Sequence, residues 1–392
     1  MSLRAAFEDI LSDENLINPV TDMSETEISE VLEEVQESAN EVGKTEELVE
    51  ALEEESAALE SIIQSVNANE DGMTKGEAVL FHHALESICR RLYIQEPTRL
   101  VPAVESFGEG QDRIAATLES ADGAKNILVR MYEAIKAAIL KMYNSVKDFF
   151  KSFGKGIEAL RAGILKLRKR ADEAASAGKT AAGKIKIAGY ANNLSIDGKF
   201  DKGTITGDHI GTRCRDALAN VTAARKKILA EMISIRAASD VDMEERKKAI
   251  EEAVLKEVGT LSMPGGYKMV ASFGRFTLKQ ESKDWGVEEI DGFAPADIGR
   301  LCAKIEMIVK YLDQHNKDVE ANTTAVNNAV NQAKTLVNAE GAIAKTKLKL
   351  TEMNARWAVS GIAQVPSRVA TVAKTLIAFG NANVGAAKSP TA

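Results

Sequence analysis

Residues 24–66 read SETEISEVLEEVQESANEVGKTEELVEALEEESAALESIIQSV. Apolar side chains recur every seven residues along two seams. The first is Ile28, Val35, Val42, Val49, Ser56 and Ile63; the second is Val31, Ser38, Thr45, Leu52, Leu59 and Val66. Nine of these 12 positions are apolar, which predicts one long helix of coiled-coil character. Ser38, Gly43 and Thr45 mark its weak stretch. The outward positions are mostly Glu. Like charges at helical spacing repel, so a basic partner suits this helix better than a copy of itself.

The same periodicity, read outward from this segment, predicts a mainly α fold. It takes the form of an elongated multi-helix bundle with an acidic coiled-coil-like N-terminal arm and small β-hairpin insertions near 184–206 and 263–290. Seven prolines in 392 residues and an aromatic content of 5% favour long Ala/Leu/Ile/Val-packed helices. A short amphipathic helix is expected over 3–12, on Leu3, Phe7, Ile10 and Leu11. Thr74 and Glu77 form a capping-box signature for a helix to Tyr93. Pro97 and Pro102 bracket an extended stretch before a helix over 111–120. Gly154 and Gly156 are expected to separate two helices within 124–170, and the Ala/Gly/Lys-rich run 174–189 to be flexible. Asn192-Asn193 and Asp197-Gly198 suggest turns of a small hairpin. Helices are predicted over 208–238, 241–258, 297–318 and 320–362. Pro366 is expected to interrupt before a last helix over 367–379, with a disordered tail after Gly380.

The formal net charge of -8 conceals an asymmetry. Residues 1–105 hold 25 Asp/Glu against 6 Lys/Arg, a net of -19, so the remainder carries +11. Charge and pattern divide the chain into an acidic helical arm (1–105), a basic amphipathic helical region (106–190) and a helical body with small β elements and a flexible tail (191–392). The basic region carries an apolar stripe of Leu128, Met131, Ile135, Ile139, Met142, Val146, Phe149, Phe150 and Phe153. Interleaved with it and following it are Lys125, Arg130, Lys136, Lys141, Lys147, Lys151, Lys155, Arg161, Lys166, Arg168, Lys169 and Arg170. Three acids oppose these 12 cations, Glu133, Asp148 and Glu158, leaving a net of +9. Such a helix is a candidate contact for duplex DNA without sequence preference, or for an anionic bilayer. The acidic arm would mask it.

No reactive constellation emerges, and an enzyme is not expected. The cysteines, Cys89, Cys214 and Cys302, are scattered and form no C-x-x-C pair. Ser176-Ala177-Gly178-Lys179-Thr180 ends like a phosphate loop, but Glu173 stands where that motif needs its first glycine. Asp240, Asp242, Glu244 and Glu251 loosely follow calcium-loop spacing. Glu245 replaces the required glycine, so a helix cap by Ser239 or Asp240 is the better reading. His82, His83, His209 and His315 are read as surface or interface residues. No catalytic residue, metal, cofactor or small-molecule partner is nominated. Neither a signal peptide nor a run long enough to span a membrane is expected.

The acidic leader, the change of charge, and the tract Ala115-Ala116-Thr117-Leu118-Glu119-Ser120-Ala121-Asp122-Gly123-Ala124-Lys125 ahead of an Ile/Lys/Phe-rich helix together resemble internal head (core) proteins of giant tailed bacteriophages. The resemblance covers mainly residues 1–170. It implies a non-enzymatic head protein made as a precursor in the host cytoplasm and located in the capsid interior. Its partners would be a prohead protease, other head or scaffold proteins, and DNA. In that family the protease cuts after Glu with a small residue two positions earlier. The matching sites are Ala58-Leu59-Glu60, Ala68-Asn69-Glu70, Ala84-Leu85-Glu86 and Ala103-Val104-Glu105. Glu105–Ser106 is preferred because it follows Pro102 and falls at the charge switch; Glu60, Glu70 and Glu86 are secondary. The mature part would pack with DNA and could be ejected with it. Two other readings are a membrane-active or ejection protein working through helix 124–153, and an uncleaved helical scaffold.

Overall fold

A computed structural model describes residues 23–68, 118–181, 183–238, 242–258, 262–272, 275–281, 289–333 and 360–389, with isolated positions between 73 and 114 and between 347 and 358. The expected short helix over 3–12 and most of that over 74–93 lie outside them. The protein is mainly helical with small antiparallel strand pairs, as the periodicity predicts. In chain order the elements are α1 (Glu25–Ala68), β1 (Met73–Thr74), β2 (Arg113–Ile114), α2 (Leu118–Ser176), β3 (Lys184–Lys186), α3 (Ala188–Leu194), α4 (Lys202–Thr206) and α5 (His209–Ala237). They continue with α6 (Met243–Val258), β4 (Ser262–Met263), β5 (Tyr267–Ser272), β6 (Arg275–Gln280), β7 (Glu289–Asp291), α7 (Pro295–Ala333) and α8 (Gln364–Gly385).

Contacts group the chain into two compact units. One joins the residues up to Ala39 with Phe149–Ala392; the other is Asn40–Asp148. In the larger unit α5 packs along α6 and α7, and α8 lies on α7 and α3. Four of the aromatics gather at one knot. Phe379 of α8 meets Tyr190, Phe200 and Phe293 edge-on, with ring centroids 5.4, 6.2 and 5.4 Å away. Asn383 ties the same helix to the start of α7: its Oδ1 accepts from the Phe293 N–H at 2.8 Å. Two buried arginines bond neutral oxygens. Arg225 donates to the carbonyls of Ala358 and Ser360 at 3.1 and 3.2 Å. Arg368 lies 3.9 Å from the Tyr267 ring centroid and donates to Asn193 Oδ1 and the Pro264 carbonyl at 2.7 and 2.9 Å. Burial depresses the Arg368 pKa. Gly265 (φ +83°) makes this approach possible, since a Cβ there would stand 2.2 Å from the Arg368 Nη2.

In the smaller unit β1 pairs antiparallel with β2, and Val42, Thr45, Val49 and Leu52 of α1 are buried, as is Val146 of α2.

Several expectations change. Gly154 and Gly156 do not divide α2, which is one helix of 59 residues. A glycine weakens a helix but does not end it when packing supports the flanks. Within the run expected to be flexible, Gly178 (φ +69°) closes α2, with Lys179 N–H bonding the Ala174 carbonyl at 3.0 Å and Gly178 N–H the Ala175 carbonyl at 2.9 Å. The Gly178-Lys179-Thr180 run is therefore a helix end. β3 then pairs with β7, Ile185 opposite Ile290, rather than with a local partner. Between β3 and α5 the two short helices α3 and α4 flank an Ile196–Lys199 bridge over the Asp197-Gly198 turn. The second insertion is a hairpin, β5 against β6, extended by β4. Positions 318–320 continue α7 without a break. Pro366 sits in the first turn of α8, where its missing N–H leaves no bond unmade. That helix runs past Gly380, and the Lys388 backbone bonds Thr180. Asp242, not Ser239 or Asp240, caps α6 by accepting from the Glu245 N–H at 2.9 Å.

His315 belongs to the core. Thr222 Oγ1 donates to the Leu218 carbonyl at 2.9 Å and lies 3.0 Å from His315 Nδ1. Burial, helped by the Arg225 charge, pushes the imidazole down to about 3. The unfolded chain therefore binds a proton between pH 6.5 and 3 that the folded chain refuses, and stability falls as pH falls through that window. Urea melts between pH 6.5 and 4.5, above most carboxylate titration, are expected to show a slope of about 1 kcal/mol per pH unit that His315→Gln flattens.

Candidate functional site

The acidic helix has its basic partner within the same chain. α1 opens with a capping box, in which the Glu27 N–H bonds Ser24 Oγ at 3.1 Å and the Glu27 carboxylate returns to the Ser24 N–H. The Ser24 N–H, with its hydroxyl, holds the Glu27 carboxyl below its ordinary value. From there α1 runs antiparallel to α2. Glu25 meets Arg170 at 2.7 Å and Glu34 meets Lys155 at 3.7 Å, while the Met23 carbonyl accepts from Lys166. In the smaller unit Glu41 meets Lys141 at 3.8 Å.

Beneath this rim lies an apolar seam. Ile28, Leu32, Val35 and Ala39 are buried, so the second seam at this end is Leu32 and Ala39, one residue on from the Val31 and Ser38 of the heptad reading. Gly156 receives the seam: a Cβ there would stand 2.7 Å from Val35 Cγ2. One heptad on, a Cβ at Gly163 would lie 3.9 Å from Ile28 Cγ2 and 3.3 Å from Ile377 Cδ1 of α8. α8 completes the groove, because Ser367 Oγ donates to Gln36 Oε1 at 3.0 Å and Asn381 Oδ1 accepts from Arg170 at 3.0 Å. Two glycines seven residues apart in an otherwise apolar stripe are the sequence signal for this close approach. The part played by Ser367, Ile377 and Asn381 has no local signal.

The basic candidates divide into three groups. Lys141, Lys155, Lys166 and Arg170 face α1. Arg161 and Arg168 are held by α7, through Asp313 at 3.5 Å and Glu306 at 2.8 Å, and Arg161 also bonds Glu158. Lys151 and Lys169 are exposed on α2. Lys125, Arg130, Lys136 and Lys147 lie on α2 with side chains outside the described residues. The pairs along the rim are exposed, contribute little to stability and weaken in salt. Phe149 and Phe153 of the amphipathic stripe stack at 5.1 Å and are buried, so a bilayer would reach them only after the helix unpacked. Glu60 lies inside α1, whereas Glu70, Glu86, Ala103, Val104, Glu105 and Ser106 lie outside the described residues. Among the described residues no cluster of metal-ligating side chains occurs and no helix is long and apolar enough to cross a membrane.

Gly154 and Gly156 separate helix propensity from packing. A Cβ at Gly154 meets nothing within 4 Å, so Gly154→Ala is expected to stabilise by about 0.5–1 kcal/mol. Gly156→Ala gains the same propensity but drives a methyl into the buried, stiff Val35, and is expected to lose about 1–3 kcal/mol net. Thermal melts of the two variants check the opposite signs.

A family model described as phiKZ-like phage internal head proteins matches residues 24–382. No curated protein and no solved structure matches the chain.

Proposed function

Because the chain belongs to this family of phage internal head proteins, a structural component of the head interior, we propose that it is a precursor whose acidic arm is cut away after Glu105 by the prohead protease. The basic remainder then packs against DNA. The observation that carries this reading is the engagement of Lys141, Lys155, Lys166 and Arg170 by the helix that such a cut would sever from them. While α1 is in place its carboxylates and the Met23 carbonyl occupy these cations. Once α1 is gone they are free to neutralise phosphates, which needs charge and reach but no base contact. Arg161 and Arg168 stay with α7 and are not part of the unmasked set. Glu105 remains preferred over Glu60, because a protease needs extended backbone and Glu60 is helical. Ejection with the DNA is the last step of the proposal.

Intact mass and N-terminal sequencing of the protein from native particles are expected to give a chain starting at Ser106. A full-length chain from Met1 to Ala392 would end the precursor reading. Residues 106–392 freed of the arm are expected to bind duplex DNA with log K falling against log salt at a slope of about -4 or steeper, on the order of 0.9 per phosphate contacted. Lys155→Gln with Arg170→Gln should reduce that slope by about two and weaken all sequences alike. Salt-independent binding would contradict the role.

A further inference from the structure

We infer that the groove between α2 and α8 is a receptor for an acidic amphipathic helix, and that it holds residues 24–39 without needing the chain to be continuous. Severing the arm and unmasking the cations are then two separate events. The inference rests on the precursor reading for its biological setting, but the groove itself is described by contacts alone.

The groove has a floor, a rim and an end stop. Its floor is Gly156, Gly163 and Ile377, shaped to take Val35 and Ile28. Lys155, Arg170 and Ser367 form the rim and engage Glu34, Glu25 and Gln36. Lys166 closes the end on the Met23 carbonyl just before the capped start of the helix. Every one of these contacts joins residues before the proposed cut to residues after it, and none uses the segment that contains the cut. Buried apolar side chains supply the larger part of such an association and are insensitive to salt, whereas the exposed ionic rim is screened. A cut in the connecting segment removes only the loop-closure advantage. The seam keeps the arm seated until a polyanion such as DNA competes for the rim cations or a protease digests the helix.

The test uses the full chain with a site-specific protease sequence inserted between Glu105 and Ser106. Amide exchange of residues 25–39 and affinity for duplex DNA are measured before and after cutting at about 50 mM salt, a regime where phosphate contacts are strong. Exchange protection is expected to remain within about tenfold of the uncut chain, and DNA affinity within about threefold. In a second chain carrying Val35→Asp, which sets a carboxylate against Gly156, the cut is expected to abolish protection of 25–39 and to raise DNA affinity by about tenfold or more. Loss of protection on cutting the otherwise unchanged chain would overturn the inference. So would retained protection in the cut Val35→Asp chain, because the seam would then not be what holds the helix. Failure here is distinct from failure of the precursor reading: the engineered cut reports on docking whether or not native particles contain a chain starting at Ser106.

Discussion

The approach of Val35 to Gly156 sets the geometry on which the functional reading depends. It brings two helices of opposite charge close enough for an apolar seam to close and for Glu25 and Glu34 to meet Arg170 and Lys155. Charge alone would not place them so. Exposed ion pairs are weak and tolerant of register, whereas a methyl group seated over a glycine is neither. The seam therefore fixes the register, and the cations that end up covered are a consequence of it.

This division of labour explains what was legible in the sequence. The heptads of 24–66 identified a helix in search of a basic partner, and the charge switch identified that partner's composition. Together they imply that the arm masks the basic region, but which residues meet could not be read from either, because pairing across more than a hundred residues leaves no local periodicity. The one-residue offset between the expected Val31–Ser38 seam and the observed Leu32–Ala39 seam has the same origin. In a regular heptad pattern two adjacent rows are both plausible, and the position of Gly156 and Gly163 decides between them. Gly154, Gly156 and Pro366, each expected to mark a break, all lie within helices for a related reason: packing outweighs propensity, and a first-turn proline leaves no bond unmade.

The body follows a different logic. With few aromatics it concentrates Phe379, Phe293, Phe200 and Tyr190 at one junction, and it secures irregular segments with buried arginines bonded to neutral oxygens. Neither the Arg368 hub nor the His315–Thr222 bond was visible in advance. A lone Arg or His in a helix gives no sign of whether it faces solvent, and His315, expected at a surface or interface, belongs to the core.

The distance along the chain between Lys166 and Met23, 143 residues, bears on how the protein is made. At about 5–20 residues per second, Met23 leaves the ribosome roughly 7–30 s before Lys166 of α2. During that interval its seam has nothing to cover it. A helix with bulky apolar seams on both faces would aggregate while waiting. The outward Glu residues of α1 and the small or polar Ala39 and Thr45 limit the apolar surface it shows in that interval. Until then the glutamates that later engage Lys155 and Arg170 have only solvent to meet.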